Sequence, residues 1–382
     1  MKKILLVTAN RSDYGIQKNL IKLLEKEKKI KFYLVVTGAH LESRYGNTIK
    51  EIQNDKINIY KKIKISTKNY NPQNIIKIFS KGNSKFFNLY NILKPDLIII
   101  LGDRYEMLAA AVPSIFLNIP IAHIHGGEKT LGSFDDTIRN MITEIASLHF
   151  TCHDNYKKRV TEIKNSKKNV YNFGSLSIEN IQNLSLKSKN YLVKNFNLKF
   201  GLNNILVTYH PETRNKNYRE KDFKEILIAI KNFKKINFFF TLPSPDPGNE
   251  KIINLIRKFC NKYKNCYFVS SFGKIAYFSI LKYVDGVIGN SSSGILEVPS
   301  FKIPTINIGK RQFGREQSLS ILNCDNNHKQ IKKNINKIFD KNFQKKIKKT
   351  KNIFFKKNSA KNTIYKIKKF INDNQTYKKN YC

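Results

Sequence analysis

The chain has 382 residues, 41% hydrophobic and 12% aromatic, which is enough for two packed domains, at most three, and rules out wholesale disorder. It carries 70 basic against 28 acidic residues, a formal charge of +42, but only ten of the basic residues are arginines. A nucleic-acid or membrane-surface reader built on that charge would favour bidentate Arg, whereas here lysines are spread among Asn and Ile, the mark of an AT-rich codon bias and a solvated basic surface.

In the first half, strand and helix patterns alternate. Lys3–Val7 reads as a strand, followed by a polar loop to Tyr14 and a helix with Ile16, Leu20, Ile21, Leu23 and Leu24 on one face. A second strand is predicted over Lys31–Val36 and a helix over 73–93. Asp96–Leu101, almost wholly apolar and β-branched, reads as a strand buried on both faces that runs into Gly102-Asp103. An Ala-rich helical segment, a strand over Ile119–Ile124 and a loop over His125–Phe134 come next. Asp135 and Asp136 then cap a helix expected to run through Leu148.

The second half repeats the alternation. Strands are predicted at Asn204–Thr208, Asn237–Thr241, Cys266–Val269, Gly286–Ile288 and Thr305–Ile308, with helices at 219–233, 249–264 and 274–284. Apolar periodicity fades near 170–205. Beyond Asn326 the chain is Lys/Asn-rich, yet Ile331, Ile335, Ile338, Ile364, Ile367 and Phe370 allow amphipathic helices. The expected fold is α/β, two Rossmann-like doubly wound domains over 1–175 and 176–355, with a basic helix and tail over 356–382 packing back toward the first domain. Such a chain should bind its ligand in a cleft between the domains, and Arg11-Ser12-Asp13, Asp103-Arg104, His123–Glu128, His210, Asp246, Ser291–Ser293 and Arg311 all follow predicted strands.

Three constellations carry chemistry. In ILGDRYE, Asp103 follows the buried strand beside Arg104, which suits acid/base work next to an anion; an N-cap for the next helix is the structural alternative. HIHGGEKTLGSFDD places His123, His125, Glu128, Asp135 and Asp136 around a Gly-Gly that allows close approach of a ligand. Alternation puts His123 and His125 on one strand face, but no third ligand has metal spacing, so an acid/base cluster is expected and no metal site. GNSSSG, with Glu297 after it, opens a short helix suited to a diphosphate; the lack of GK[ST] excludes a P-loop.

The opening residues lack a signal-peptide apolar run, no stretch reaches 18 apolar residues, and five cysteines show neither CxxC nor Cys/His ligand spacing. These features predict a soluble, reduced, cytoplasmic protein.

Taken in order, NRSDYG, TGAHLESRYGNT, LGDRYE, HIHGGEKTL, FDDTIR, HPET, GNSSSG with Glu297 and INIGKRQFGR resemble the UDP-N-acetylglucosamine 2-epimerases, over about residues 2–320. The closer resemblance is to the hydrolysing branch, which releases UDP and N-acetylmannosamine for sialic acid biosynthesis. The resemblance implies a glycosyltransferase-B type fold and anti-elimination of UDP to 2-acetamidoglucal, followed by hydration at C1 and reprotonation of C2 on the opposite face. It implies no nicotinamide, metal or pyridoxal cofactor, a UDP-sugar as the partner, and a homodimer or homotetramer. Nucleic acid and membrane are not expected partners.

Carried over by position, Asp103, His125 and Asp135 match the catalytic acid/base positions, with Glu128 an alternative to His125. Arg11, Arg104, His210, Ser291, Ser292, Glu297 and Arg311 match UDP-binding positions. The chain departs from the common pattern in having His125 where Glu is frequent, Asn140 where His often follows the TIR segment, Gly15 where some relatives have Ser, and no Asn after Pro243. The same chemistry on UDP-2,4-diacetamido-2,4,6-trideoxyglucose is an alternative, as are a non-hydrolysing epimerase, against which GDRYE and GGE speak, a glycosyltransferase of the same fold and, in a different class, a basic nucleic-acid or membrane-surface binding protein resting on the +42 charge.

Overall fold

A computed structural model describes residues 1–43, 46–65, 71–131, 134–182, 184–212, 219–243 and 248–381, with the backbone alone at 182, 219, 274 and 374–381. Two compact units emerge. One comprises Met1–Glu128, Asp135–Asn180 and Phe354–Cys382, the other Lys129–Phe134 and Ile181–Ile353.

The first unit runs β1 (Lys2–Thr8), α1 (Arg11–Glu25), β2 (Ile30–Thr37), α2 (Ile49–Asn54), β3 (Ile59–Ile63), α3 (Pro72–Leu93), β4 (Leu97–Leu101), α4 (Tyr105–Phe116), β5 (Ile121–Ile124), α5 (Asp135–Ile145), β6 (Leu148–Thr151), α6 (Asp154–Ile163), β7 (Val170–Asn172) and α7 (Leu176–Gln182). Its sheet is parallel, in the order β3-β2-β1-β4-β5-β6-β7. β4 is buried along its whole length because helices cover both faces of a parallel sheet. At roughly 1.5–3 kcal/mol per buried aliphatic side chain, its LIIIL run is a main support of the unit.

Sharp ends set the helices. Asn71 accepts the Asn74 N–H ahead of Pro72 at the start of α3, and Lys94 closes the same helix in a left-handed conformation at φ 50°. The helix expected to extend through Leu148 stops at Ile145. Ser147 N–H donates to the Ile121 carbonyl, and Leu148–Thr151 joins the sheet as a fully buried strand. The strands that periodicity did not reveal are short, and β3 (IYKKI) exposes three successive residues, which erases the alternation.

The second unit contains α8 (Lys189–Phe196), β8 (Asn203–Thr208), α9 (Arg219–Ile230), β9 (Ile236–Thr241), α10 (Asn249–Lys262), β10 (Cys266–Val269), α11 (Gly273–Ile280), β11 (Gly286–Gly289), α12 (Ser292–Leu296), β12 (Thr305–Ile308), β13 (Ile321–Cys324), α13 (His328–Ile338) and α14 (Lys341–Lys348). Its parallel sheet has the order β10-β9-β8-β11-β12-β13. Phe238, Phe240, Ile288 and Ile306 point to one face with Ile331, Ile335 and Ile338 of α13, and Leu206, Phe239 and Val287 to the other.

After α14 the chain returns to the first unit as α15 (Ser359–Tyr381). Ser359 Oγ donates to the Phe173 carbonyl at 2.6 Å, and Ala360, Ile364, Ile367 and Phe370 join the core beside α1. Among the described residues no helix is long and apolar enough to cross a membrane.

Candidate active site

In an open parallel sheet, ligands bind beyond the carboxyl ends of the strands where the strand order reverses. In the first unit that point lies between β1 and β4. The loop after β1 supplies Asn10, Arg11 and Asp13; the loop after β4 supplies Asp103 and Arg104, with Glu106 in the first turn of α4. Asn10 caps α1 by accepting the Asp13 N–H at 3.0 Å and donates through Nδ2 to Asp13 Oδ2 at 2.9 Å. Arg104 lies over the Tyr105 ring and donates to Glu106 Oε2 at 3.1 Å. Burial lifts the Asp13 carboxyl to about 7; the Arg104 cation opposes this and the Glu106 anion adds to it. An acid with a raised pKa at a switch point is a mark of functional sites; the sequence shows Asp13 only as a member of the Arg11-Ser12-Asp13 cluster after the first strand, with no role assigned to it.

Asp103 sits at the end of the apolar β4 and pairs with Arg139 of α5, whose guanidinium is 1% exposed. Arg139 also donates to the Glu128 carbonyl at 2.7 Å and to Asp136 Oδ1 at 3.4 Å. Arg159 of α6 reaches the same carbonyl at 2.9 Å and Asp136 Oδ2 at 3.4 Å. The two arginines thus pin the His125–Glu128 loop and engage Asp136, while the adjacent Asp135 is half-buried at the start of α5. Neither arginine was picked out from the sequence. The available signal was compositional: Arg retained where Lys is the default marks a need for the planar, multiply bonding guanidinium.

The two histidines have different roles. His123, in β5, bonds through Nε2 to the Gly102 carbonyl at 2.8 Å and through Nδ1 to Thr143 Oγ1 at 3.1 Å; burial lowers it to about 4. The expectation that both lie on one strand face fails, because β5 ends at Ile124 and His125 turns into the left-handed region at φ 66°. That conformation is uncommon outside glycine and is held by the His125 N–H bond to the Phe150 carbonyl at 2.9 Å. The His125 side chain meets Glu128 Oε1 through Nδ1 at 3.0 Å and Ser175 Oγ through Nε2 at 3.4 Å. Cys152, at the end of β6, donates to the same Glu128 oxygen at 3.3 Å. A third donor that the sequence spacing does not show arrives from the neighbouring strand, and His125, Glu128 and Cys152 converge.

In the second unit the strand order reverses between β8 and β11. Buried Asn290 bridges the two loops: its side chain accepts the His210 N–H at 2.7 Å and donates to the His210 carbonyl at 2.9 Å. Its own carbonyl receives Arg311 at 3.2 Å and Gln312 at 2.8 Å. Gly289 precedes it at φ 146°, where any Cβ would collide with the Thr208 carbonyl. Ser291 caps α12, Ser293 Oγ meets the Tyr277 hydroxyl at 2.6 Å, and Glu297 is buried at the end of that helix. Burial raises Glu212, which accepts the Lys310 N–H at 3.0 Å.

The sequence-selected residues therefore form two sets. Arg11, Asp103, Arg104, His125, Glu128 and Asp135 stand at strand ends or helix starts of the first unit, and His210, Ser291, Ser292, Glu297 and Arg311 do so in the second. Asp246 lies outside the described residues.

Comparison with known proteins gives the same direction. A family model described as UDP-N-acetylglucosamine 2-epimerase matches residues 22–368. The chain is 38% identical to the polysialic acid biosynthesis protein P7 of Escherichia coli, over 100% of this chain and 97% of that protein. It is 36% identical to the GDP/UDP-N,N'-diacetylbacillosamine 2-epimerase (hydrolyzing) of Campylobacter jejuni, over 90% of this chain and 89% of that one. In fold it is similar to the UDP-GlcNAc 2-epimerase of Neisseria meningitidis bound to UDP-GlcNAc, with a TM-score of 0.83 at 16% identity over 96% of this chain and 100% of that chain. It is also similar to the Methanocaldococcus jannaschii enzyme in complex with UDP-GlcNAc and UDP, with a TM-score of 0.78 at 17% identity over 96% and 99% of the two chains. The fold is α/β with two Rossmann-like doubly wound units, of the glycosyltransferase-B type. On the extent of the family match and the two relatives at 38% and 36% identity, the chain belongs to the UDP-N-acetylglucosamine 2-epimerase family.

Proposed function

We propose that the protein is a hydrolysing UDP-N-acetylglucosamine 2-epimerase, releasing UDP and N-acetylmannosamine for sialic acid biosynthesis in the cytoplasm. The observation that carries this reading is the pairing, at the strand ends of one sheet, of an arginine-bound carboxylate, Asp103, with a His125–Glu128 dyad. Elimination of UDP removes the C2 proton and breaks the C1–O bond, giving 2-acetamidoglucal. Water then adds at C1, and C2 takes a proton on the opposite face. Two proton-transfer groups are needed, and we assign them among Asp103, His125 and Asp135, with Glu128 orienting the imidazole. Arg11, Arg104, His210, Ser291, Ser292, Glu297 and Arg311 bind UDP in this reading, the cations offsetting charge on the departing diphosphate. The reaction needs no cofactor, and the working form is a homodimer or homotetramer.

A second reading, the same reaction on UDP-2,4-diacetamido-2,4,6-trideoxyglucose, is favoured by the diacetylbacillosamine 2-epimerase at 36% identity. One experiment separates the two. The purified protein is given each UDP-sugar in D₂O and in H₂¹⁸O, and products are followed by NMR and mass spectrometry. The proposal expects free N-acetylmannosamine with deuterium at C2 and ¹⁸O at the C1 hydroxyl. Turnover of the diacetamido sugar alone establishes the second reading, a product still carrying UDP removes hydrolysis, and ¹⁸O in the UDP phosphate ends the elimination mechanism.

A further inference from the structure

The donor atoms His125 Nδ1, Glu128 Oε1 and Cys152 Sγ all lie within 4.8 Å of one another, on three buried side chains. Two of the edges are 3.0 Å from nitrogen to oxygen and 3.3 Å from oxygen to sulfur. Zinc bonds of about 2.0–2.3 Å in a tetrahedron give ligand-to-ligand edges of about 3.3–3.6 Å, so the nitrogen–oxygen and oxygen–sulfur edges already stand within a few tenths of an ångström of those around a bound ion. We propose that these three residues form a site for a soft divalent transition metal, zinc or a close analogue, and that filling it switches the enzyme off.

The donor set selects the metal. A thiolate and an imidazole favour zinc over magnesium or calcium, which take oxygen. Charge balances too: one carboxylate and one thiolate neutralise a dication, and the imidazole binds neutral. Two protons are accounted for. The Cys152 S–H, now donated to Glu128, leaves to solvent as the sulfur–metal bond forms. The proton shared between His125 Nδ1 and Glu128 moves to Nε2, where Ser175 Oγ stands at 3.4 Å to accept it. Ser175 is itself bonded to Ser177 Oγ at 3.0 Å. A ligating histidine whose other nitrogen is held by a second group is the usual arrangement around a bound metal. Three protein ligands leave a fourth position for water or an inhibitor. Binding follows from geometry alone. The switching effect rests on the reading given above, because the ion takes His125 out of proton transfer and Glu128 away from orienting it.

The test uses the chelator-treated protein and cobalt(II) as the probe. Wild type is expected to take up about one cobalt per chain with a thiolate-to-cobalt charge-transfer band that zinc abolishes by displacement. Cys152→Ser should lose that band, with circular dichroism confirming that it is folded. Ser175→Ala should keep the band and bind about 10–100-fold more weakly. Absence of the band in wild type, or its persistence in Cys152→Ser, overturns the site, since the thiolate would then be another cysteine. For switching, zinc should inhibit UDP-sugar turnover in wild type. At least tenfold more should be needed in Cys152→Ser, each measured against its own metal-free rate. Full turnover under saturating zinc with the cobalt band present overturns the switch. A cobalt band in a protein that turns over neither UDP-sugar removes the functional reading and leaves the site standing.

Discussion

Arg139, buried on α5, forms an ion pair with Asp103, thirty-six residues earlier at the end of β4. The same guanidinium bonds the Glu128 carbonyl and Asp136, so one side chain fixes the proposed catalytic carboxylate and the loop bearing His125. Removing one partner of a buried pair leaves uncompensated charge and costs roughly 3–5 kcal/mol. Arg139→Met should lower stability on that scale in urea unfolding. Arg139→Lys should recover part of the stability but keep turnover at least about tenfold down, because an ammonium cannot reproduce the fork. Wild-type turnover in Arg139→Lys would deny Arg139 any positioning role.

Asp103→Asn keeps the shape and removes the proton-transfer group. Turnover should fall by about 10²–10⁴-fold while UDP affinity, read by calorimetry, stays near wild type. A variant that still turns over rapidly sends the acid/base role elsewhere.

His125 stands at φ 66°, which glycine adopts without penalty. His125→Gly should therefore be more stable than His125→Ala, by about 1 kcal/mol, yet equally inactive. Glu128→Gln should do less harm, since its carboxylate orients the imidazole through the 3.0 Å contact. If Glu128→Gln alone is severe, Glu128 carries the role.

Asp13 gives a pH dependence with a defined sign. Its folded pKa is raised to about 7, chiefly by burial, against about 3.9 in an unfolded chain. The native state thus holds a proton that the unfolded state has released. The stability from Asp13 is complete below about pH 4 and is lost as pH rises to about 7. Denaturant midpoints of wild type should decline relative to Asp13→Asn over that window and run parallel above it. Parallel curves throughout would mean that Asp13 ionises normally.

In the second unit, Arg311→Ala and Ser291→Ala should each weaken UDP binding about tenfold or more, since a charge-assisted hydrogen bond contributes roughly 1.5–3 kcal/mol. Unchanged affinity in both variants would place the nucleotide elsewhere.

The two doubly wound sheets are legible in the sequence because their signals are local. Apolar runs such as LIIIL and NFFFT are too short for helices and rich in β-branched or aromatic residues, which marks them as buried strands between helical periodicities, and the polar residues that follow them fall at strand ends. It also carried the family, since the ordered motifs around Asp103, His125 and Ser291 are short and contiguous. Which side chains meet depends on how distant segments pack. Cys152 reaches Glu128 only because β5 and β6 are neighbours in register, and Arg139 reaches Asp103 only because α5 packs on α4 and on β5, the neighbour of β4 in the sheet. The raised pKa of Asp13 and the left-handed turn at His125 likewise arise from burial and backbone geometry, which depend on residues far away in the chain and leave no mark in the local pattern.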